Sequence, residues 1–428
     1  MQHHSHPLSF AIIGGGIGGL STALSLRRAG HQTTIYERAH YAGEVGAAIS
    51  CAANGLKYLQ EWGVDLSIGR PVTLKRLIAR DWHTGEIVNE VGFEDYEQKW
   101  GAPYLSFQRQ DMHSMLLHAA TDPEGDGTPA TLFTDHKCTD VDLDTGHITF
   151  SNNTTANHDI VIGADGVGST LRTLIGIAPH KRLSTSTCLH TNVPLSTLRT
   201  HALHTSSAAT AADAIQFWGG TGINKIVLGP CRGGETLSYY CFFPRALLAA
   251  SSDPSSSNHV QKHSVEELLA PYPDLDPQLR DQLRVSEDVS AWRLWVHDKY
   301  AYWTKGVVAL MGDAAHPMMP DQSQGACQAI EDAAALGIVF GGEMFGGDVR
   351  RAWELYEGLR MGRAGRVQDA ALRAQENISE RVGFTDTTTN QMYRVAGEEE
   401  KLTIQELNAY DMRRDARAKI ESMDSLKR

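Results

Sequence analysis

Phe10-Ala11-Ile12-Ile13-Gly14-Gly15-Gly16-Ile17-Gly18-Gly19-Leu20 decides how this chain folds. A short apolar run bounded by glycines reads as a buried strand. The glycines satisfy GxGxxG through Gly14, Gly16 and Gly19, in the strand-to-helix setting that makes the pattern informative. The first permits a tight turn, the second lets backbone approach a pyrophosphate, and the third packs helix on strand. Leu20, Ala23, Leu24 and Ala29 then carry an apolar helical face that Gly30 can end. Thr33-Thr34-Ile35-Tyr36 is β-branched and aromatic, hence a second strand, and the whole is a βαβ unit. Glu37 stands 18 residues beyond Gly19, placed to accept from an adenosine ribose hydroxyl. With no basic residue at that position, the ribose is unphosphorylated, pointing to FAD or NAD rather than NADP.

Two further strand-end turns extend this reading. Ile160-Val161-Ile162-Gly163-Ala164-Asp165-Gly166 places Asp165 either to hold a second dinucleotide region or to brace the loop beside the pyrophosphate, with Arg172 following. Leu310-Met311-Gly312-Asp313-Ala314-Ala315-His316-Pro317 leads to Pro320 and then Gln324-Gly325-Ala326, where a helix begins. Asp313 suits a ribityl or ribose hydroxyl. The backbone N–H groups of Gly325 and Ala326 suit the N1–C2=O edge of a reduced flavin, because a helix N-terminus favours negative charge. Together with the glycine turn, this makes the cofactor FAD. His316 reads either as an acid or base, or as a turn residue with its ring tied to backbone.

The chain has 428 residues, more than the ~250–300 that one core usually supports, so two closely packed domains are expected. A net charge of −12 without any Lys/Arg block argues against nucleic acid or an anionic membrane as partner. An anionic substrate would need a local Arg or His. The six cysteines lack metal or disulfide spacing, which points to isolated thiols in a reducing compartment. His3, His4 and His6 belong to a short polar terminus, and no metal is expected. Residues 10–13 are too short for a signal segment, and no stretch approaches the ~20 apolar residues of a membrane span. A soluble cytoplasmic enzyme, monomer or homodimer, is the resulting expectation.

The fold class is α/β: a Rossmann-like FAD-binding domain interleaved with a mixed or antiparallel sheet substrate domain, plus C-terminal helices. The FAD-binding domain takes residues 8–80, 105–182 and 300–345; the substrate domain takes 81–104 and 183–299; a helical region takes 346–428. Helices are read over 54–62 and 112–120, and a hairpin over 74–82 and 85–91. Further strands are read at 131–134, 137–143 and 147–150, and in the substrate domain at 214–218, 226–228 and 236–243. The tracts 205–212 and 249–258 read as exposed loops, and 398–401 and 413–419 as solvated helix faces.

The three motifs, in this order, resemble the group A flavoprotein monooxygenases, the family of para-hydroxybenzoate and salicylate hydroxylases, over roughly residues 8–375. The salicylate hydroxylase-like branch frequent in fungi is the nearest. Matching stretches include Ile35-Tyr36-Glu37-Arg38, Glu44-Val45-Gly46-Ala47-Ala48-Ile49, Arg109 with Asp111, Trp303-Thr304-Lys305-Gly306, and Tyr356 with Arg360 and Arg363. The resemblance implies FAD contacts from Glu37, Arg38, Ala48, Arg109, Asp313 and Ala326. It also implies an Asp-Gly motif at Asp165 that serves both FAD and NAD(P)H. The implied activity uses NAD(P)H as cosubstrate and O2, through a flavin C4a-hydroperoxide, to hydroxylate a small aromatic, phenolic metabolite. Epoxidation or dearomatisation in fungal secondary metabolism is the alternative, and a non-oxygenating reductase or binding protein of the same fold is another.

One departure concerns the substrate side. Many relatives carry Tyr-Arg-x-x-Val-Pro where this chain has Leu189-His190-Thr191-Asn192-Val193-Pro194, so His190 replaces an Arg on which dearomatising relatives depend. His190 is a candidate for assisting deprotonation. Tyr239 and Tyr240 adjoin in a strand, so alternation sends one toward the cavity and one away; each is a candidate catalytic residue. Trp218 reads as lining the cavity or the core. Asp321 reads as a contact to a polar substrate or as a solvated loop carboxylate.

Overall fold

Phe10, Ala11 and Ile12 are fully buried in the strand Ser9–Ile13, which runs through the middle of a six-stranded sheet. This is a computed structural model, and it describes residues 7–40, 46–203, 206–248, 260–386 and 401–425. His3, His4, His6, Glu44, Val45, the tract 249–258 and residues 398–400 lie outside the described residues.

Ser9–Ile13 pairs in parallel with Gln32–Tyr36 on one side and Ile160–Gly163 on the other. The helix Ile17–Arg28 makes the crossover between the first two, completing the βαβ unit. Val308–Leu310 continues the parallel sheet beside Ile160–Gly163, and Thr131–Phe133 flanks Gln32–Tyr36. Ile13 sits opposite Gly163, and Gly163 opposite Leu310. The three motif-bearing turns therefore leave one edge of the sheet at the same level, the position where open α/β sheets bind ligands.

The second sheet has eight strands, in the order Val260–His263, Val289–Trp292, Ser186–Pro194, Thr236–Pro244, Lys225–Cys231, Ala214–Gly219, Arg76–Arg80, Ile87–Gly92. It is mixed, because Ala214–Gly219 runs parallel to Arg76–Arg80 while its other pairings are antiparallel. Arg76–Arg80 belongs to this sheet although the sequence placed the substrate domain's start at residue 81. A core of its own, including Trp218, Tyr239, Phe243 and Tyr272, covers one face. The tract 205–212 is not wholly a loop: Ser206–Thr210 is a short helix, with Ala208 and Ala211 buried in that core. Its alanines favour helix and cost little side-chain entropy on burial.

Helix Gly325–Val339 packs on Ile17–Arg28 at close range: a Cβ on Gly337 would meet Ser25 Oγ at 2.1 Å. The long helix Val349–Ala374 follows, then Ile404–Asn408 and Met412–Ser425. Between them the chain turns back at Ile378–Glu380, where Ile378 N–H donates to Gly220 O at 2.8 Å. That docking carries Arg381 from the C-terminal region onto the second sheet's side of the interdomain cavity. No described helix is long and apolar enough to cross a membrane.

Candidate active site

The glycine turn is closed by contacts that leave no room for side chains. Gly14 has φ +112°, and a Cβ there would lie 2.4 Å from Ala164 O; one on Gly19 would lie 1.9 Å from Gly14 O. Gly19 thus packs the helix on its strand, Gly14 packs against the Ala164 turn, and Gly14 and Gly16 both line the cavity. Gly16 is the N-cap of Ile17–Arg28 and offers no side-chain cap, so the first N–H groups of that helix stay available. Glu37 Oε2 accepts from Gly15 N at 2.7 Å and Oε1 from Ala39 N at 2.8 Å, which fixes the carboxylate at the end of its strand. Arg38 is exposed beside it.

Asp165 braces its own loop. Its oxygens accept from Ser169 Oγ at 2.5 Å, Thr170 N at 2.7 Å and Leu171 N at 3.2 Å. Arg172 ties the loop to the third motif, donating to Val167 O at 2.7 Å and Ala314 O at 3.2 Å. Asp313, by contrast, is exposed on the cavity wall and makes no hydrogen bond or ion pair among the described residues.

The third motif is held from behind by buried charge. Asp332 Oδ2 accepts from Gly312 N at 2.8 Å and pairs with His316 Nε2 at 2.5 Å, while Arg360 Nε reaches Oδ1 at 2.7 Å. His316 is 1% exposed and does not line the cavity, so it is scaffold, tied to a carboxylate rather than to backbone. Glu331 accepts from Asn54 Nδ2 at 2.7 Å, Arg360 Nη1 at 2.5 Å and Arg363 Nε at 2.6 Å. Burial alone would raise its carboxyl, but the Arg363 and Arg360 guanidiniums outweigh that and hold it at about 2. Asn54 also donates to Gln324 Oε1 at 3.0 Å, linking the network to the N-cap of Gly325–Val339. That helix has no side-chain cap, and space stands open above Gly325.

These parts enclose one cavity of about 800 Å³, toward the upper end of ligand pockets. Gly14, Gly16, Glu37, Arg38, Ala48, Arg109, Asp165, Asp313, Gly325 and Ala326 all line it. The opposite wall comes from the second sheet and the returning chain: Ile215, Phe217, Val227, Phe242, Ile378 and Arg381.

Of the three candidate catalytic residues, only Tyr240 reaches this cavity. Its hydroxyl donates to Ala48 O, and burial pushes the phenol well above its ordinary pKa. Tyr239 points the other way, fully buried, donating to Gln282 Oε1 at 3.0 Å. Trp218 lies in the same second core. His190 is buried behind the wall, its Nε2 2.9 Å from Ser238 Oγ and its ring against Tyr240 and Trp292. Burial lowers it to about 4, so its imidazole is neutral at physiological pH. Asp321 is no solvated loop carboxylate: it is buried and paired with Lys225.

Lys225, Phe217 and Arg381 escaped the sequence reading. Lys225 opens a strand that the sequence placed over 226–228. Arg381 lies in a region read as helical tail, and no periodicity announces a chain reversal that brings it back.

A βαβ glycine turn, two further turns at one sheet edge, and a second sheet closing over them define an FAD-dependent oxidoreductase. The FAD binding domain family matches residues 8–371, and the chain belongs to it as a flavoprotein monooxygenase. It is 31% identical to the FAD-dependent monooxygenase cfoG of Aspergillus candidus, over 84% of each chain. It is 30% identical to 3-hydroxybenzoate 6-hydroxylase of Klebsiella oxytoca, over 83% of this chain and 85% of that one. Hispidin-3-hydroxylase of Neonothopanus nambi is 29% identical, over 85% and 87%. Among solved structures, a salicylate hydroxylase substrate complex shares the fold with TM-score 0.72 at 23% identity, covering 96% of this chain and 97% of that one.

Proposed function

We propose that the protein hydroxylates a small aromatic, phenolic ring with NAD(P)H and O2. One observation carries this: a single cavity joins the dinucleotide turn to an apolar wall of Ile215, Phe217, Val227, Phe242 and Ile378. A planar ring fits between that wall and the N-terminus of Gly325–Val339. The relatives named for hispidin and 3-hydroxybenzoate support a ring substrate.

In this reading Gly14, Gly16 and the helix N–H groups behind them hold the pyrophosphate, with Arg38 and Arg109 nearby for charge. Glu37 takes the ribose and Asp313 the ribityl chain; Gly325 and Ala326 N–H groups face the flavin N1–C2=O edge. Ala48 backs the site, fixed by Tyr240 through its carbonyl and by Ser238 through its N–H at 3.1 Å. Bound FAD supplies the acceptor for hydride from NAD(P)H and the activation of O2. The protein orients the ring, excludes water and stabilises negative charge at the helix N-terminus. Tyr240 is a positioning residue, because its proton is committed to Ala48 O. His190 is one too, acting through Ser238. A dearomatising mechanism that needs an ionised tyrosine finds no support in these contacts. Scattered, buried free thiols support a cytoplasmic enzyme, and the partners in this reading are small molecules.

The test is a panel of phenolic rings added to purified holoenzyme. A substrate accelerates NAD(P)H oxidation and lowers the H2O2 released per NAD(P)H consumed. A protein that binds no flavin, or one that no ring stimulates, overturns the reading.

A further inference from the structure

Arg381 is 2% exposed, stands on the cavity wall, and pairs with no carboxylate among the described residues. Its one firm hydrogen bond runs from Nη1 to Val382 O at 2.9 Å. Nη2 makes only long contacts, 3.5 Å to Tyr104 Oη and 3.4 Å to Ser323 Oγ, and Nε is buried without a partner. The guanidinium lies 4.9 Å from the Phe217 ring. The neighbouring carboxylate, Glu380, is taken by Arg373 at 3.0 Å.

Two other buried guanidiniums in this protein are satisfied differently. Arg360 has two carboxylates, and Nη1 and Nη2 of Arg27 donate to five carbonyls between Ala119 and Gly127. A cation buried without a counterion keeps the desolvation penalty that a paired one offsets. An anion arriving in the cavity would remove that cost.

A second unfilled position lies on the same wall. Asp321 pairs with Lys225 through Oδ1, but Oδ2 is buried with no partner. Gln322 clamps the two segments together, accepting from Val382 N at 2.8 Å and donating to Glu380 O at 2.6 Å. The wall therefore offers a fixed cation and a fixed acceptor, flanked by Phe217, Phe242 and Ile378.

We propose that Arg381 and Asp321 form a two-point substrate subsite. Arg381 binds an anionic oxygen, carboxylate or acidic enolate, on a planar conjugated ring. Asp321 Oδ2 accepts a hydrogen bond from a hydroxyl or amino group of that ring. This rests on the cavity being the ring site proposed above. It also answers the charge problem: a chain of net charge −12 draws an anion in only through a local cation.

The experiment titrates holoenzyme with four probes, read by the shift in flavin absorbance: 3-hydroxybenzoate, a 4-hydroxy-2-pyrone, 3-hydroxybenzamide and 3-methoxybenzoate. At least one of the first two binds about tenfold or more tighter than the amide, and which one it is distinguishes carboxylate from enolate. The methoxy acid, lacking the donor, binds weaker than 3-hydroxybenzoate by a similar factor. Arg381→Gln abolishes the preference for acid over amide while leaving amide binding and FAD content within about threefold, and Arg381→Lys keeps part of it. An amide that binds wild type as tightly as both acids, or no response to either acid at millimolar concentration, overturns the Arg381 assignment. Equal loss for every probe in Arg381→Gln does so too. A methoxy acid that binds as well as the hydroxy acid overturns the Asp321 assignment. Neutral phenols turned over with tight coupling but no acid preference would sink the subsite and leave the hydroxylase reading intact.

Discussion

Replacing Glu331 by Gln tests the charge network that holds the site from behind. The side chain is 1% exposed, and its two oxygens accept from Asn54, Arg360 and Arg363. Glutamine keeps the shape but removes the charge and turns one acceptor into an NH2 donor facing guanidiniums. Two routes give the magnitude. The carboxyl is held at about 2 against an ordinary 4.5, and at roughly 1.4 kcal/mol per pH unit that gap corresponds to about 3 kcal/mol. Removing one partner from a buried ion pair independently costs ~3–5 kcal/mol. The two agree, so Glu331→Gln destabilises the fold by about 3–5 kcal/mol near neutral pH, read from urea unfolding.

The pH dependence supplies the sharper check. Because the folded pKa is depressed, the proton binds the unfolded chain first. The contribution is fully present above about 4.5 and is lost as pH falls through about 2. The stability gap between wild type and Glu331→Gln therefore narrows across that window. A gap below about 1 kcal/mol at pH 7, or one that stays constant down to the acid end, refutes the reasoning.

Three further perturbations address separate links. Asp313→Ala empties much of the FAD site while changing apoprotein stability by no more than about 0.5 kcal/mol, because the side chain has no partner to lose among the described residues; full flavin content would refute its placement. Gly19→Ala forces a Cβ to within 1.9 Å of Gly14 O, so the turn must move; FAD occupancy falls and stability drops by roughly 1–3 kcal/mol, and an unchanged absorbance ratio and melting point would contradict this. His190→Gln flattens acid sensitivity between about 6.5 and 4: the folded imidazole is held at about 4, so wild type loses stability as pH falls through that window, by about 3 kcal/mol in all. Parallel urea midpoints for wild type and variant from pH 7 to pH 4.5 would count against the buried, neutral assignment.

The FAD half of the cavity was legible because its demands fall on local sequence. A glycine with no room for a Cβ, a carboxylate at a strand end and a glycine opening a helix each leave a mark within a few residues, as Gly14, Glu37 and Gly325 show. Alternation separated Tyr239 from Tyr240 correctly in kind, but only the register of Thr236–Pro244 shows which one faces the cavity. The opposite wall left no such mark. Arg381 is defined by the carboxylate partner it lacks among the described residues, and its position depends on Gly220, Gln322 and Phe217, far away in sequence. Asp321 left two readings open, a contact to a polar substrate or a solvated loop carboxylate, because Lys225, which pairs with it, comes from the second sheet.

The charge network lies directly behind the helix end that faces the cavity, which is why its two carboxylates have to be neutralised there. Glu331 and Asp332 lie less than two turns into Gly325–Val339, the helix whose uncapped N-terminus faces the cavity. Two free carboxylates there would offset the partial positive charge of the helix end, about half an elementary charge, which on the proposed reading serves a reduced flavin. Arg360 and Arg363 neutralise both from the neighbouring helix Val349–Ala374, with His316 and Gly312 N–H sharing Asp332. The same acids anchor the Gly312-Asp313 turn and position Gln324 through Asn54. One set of buried charges thus fixes two walls of the site while leaving the helix end electropositive. On the proposed reading, charge removal at Glu331 is therefore felt at the flavin as well as in the fold.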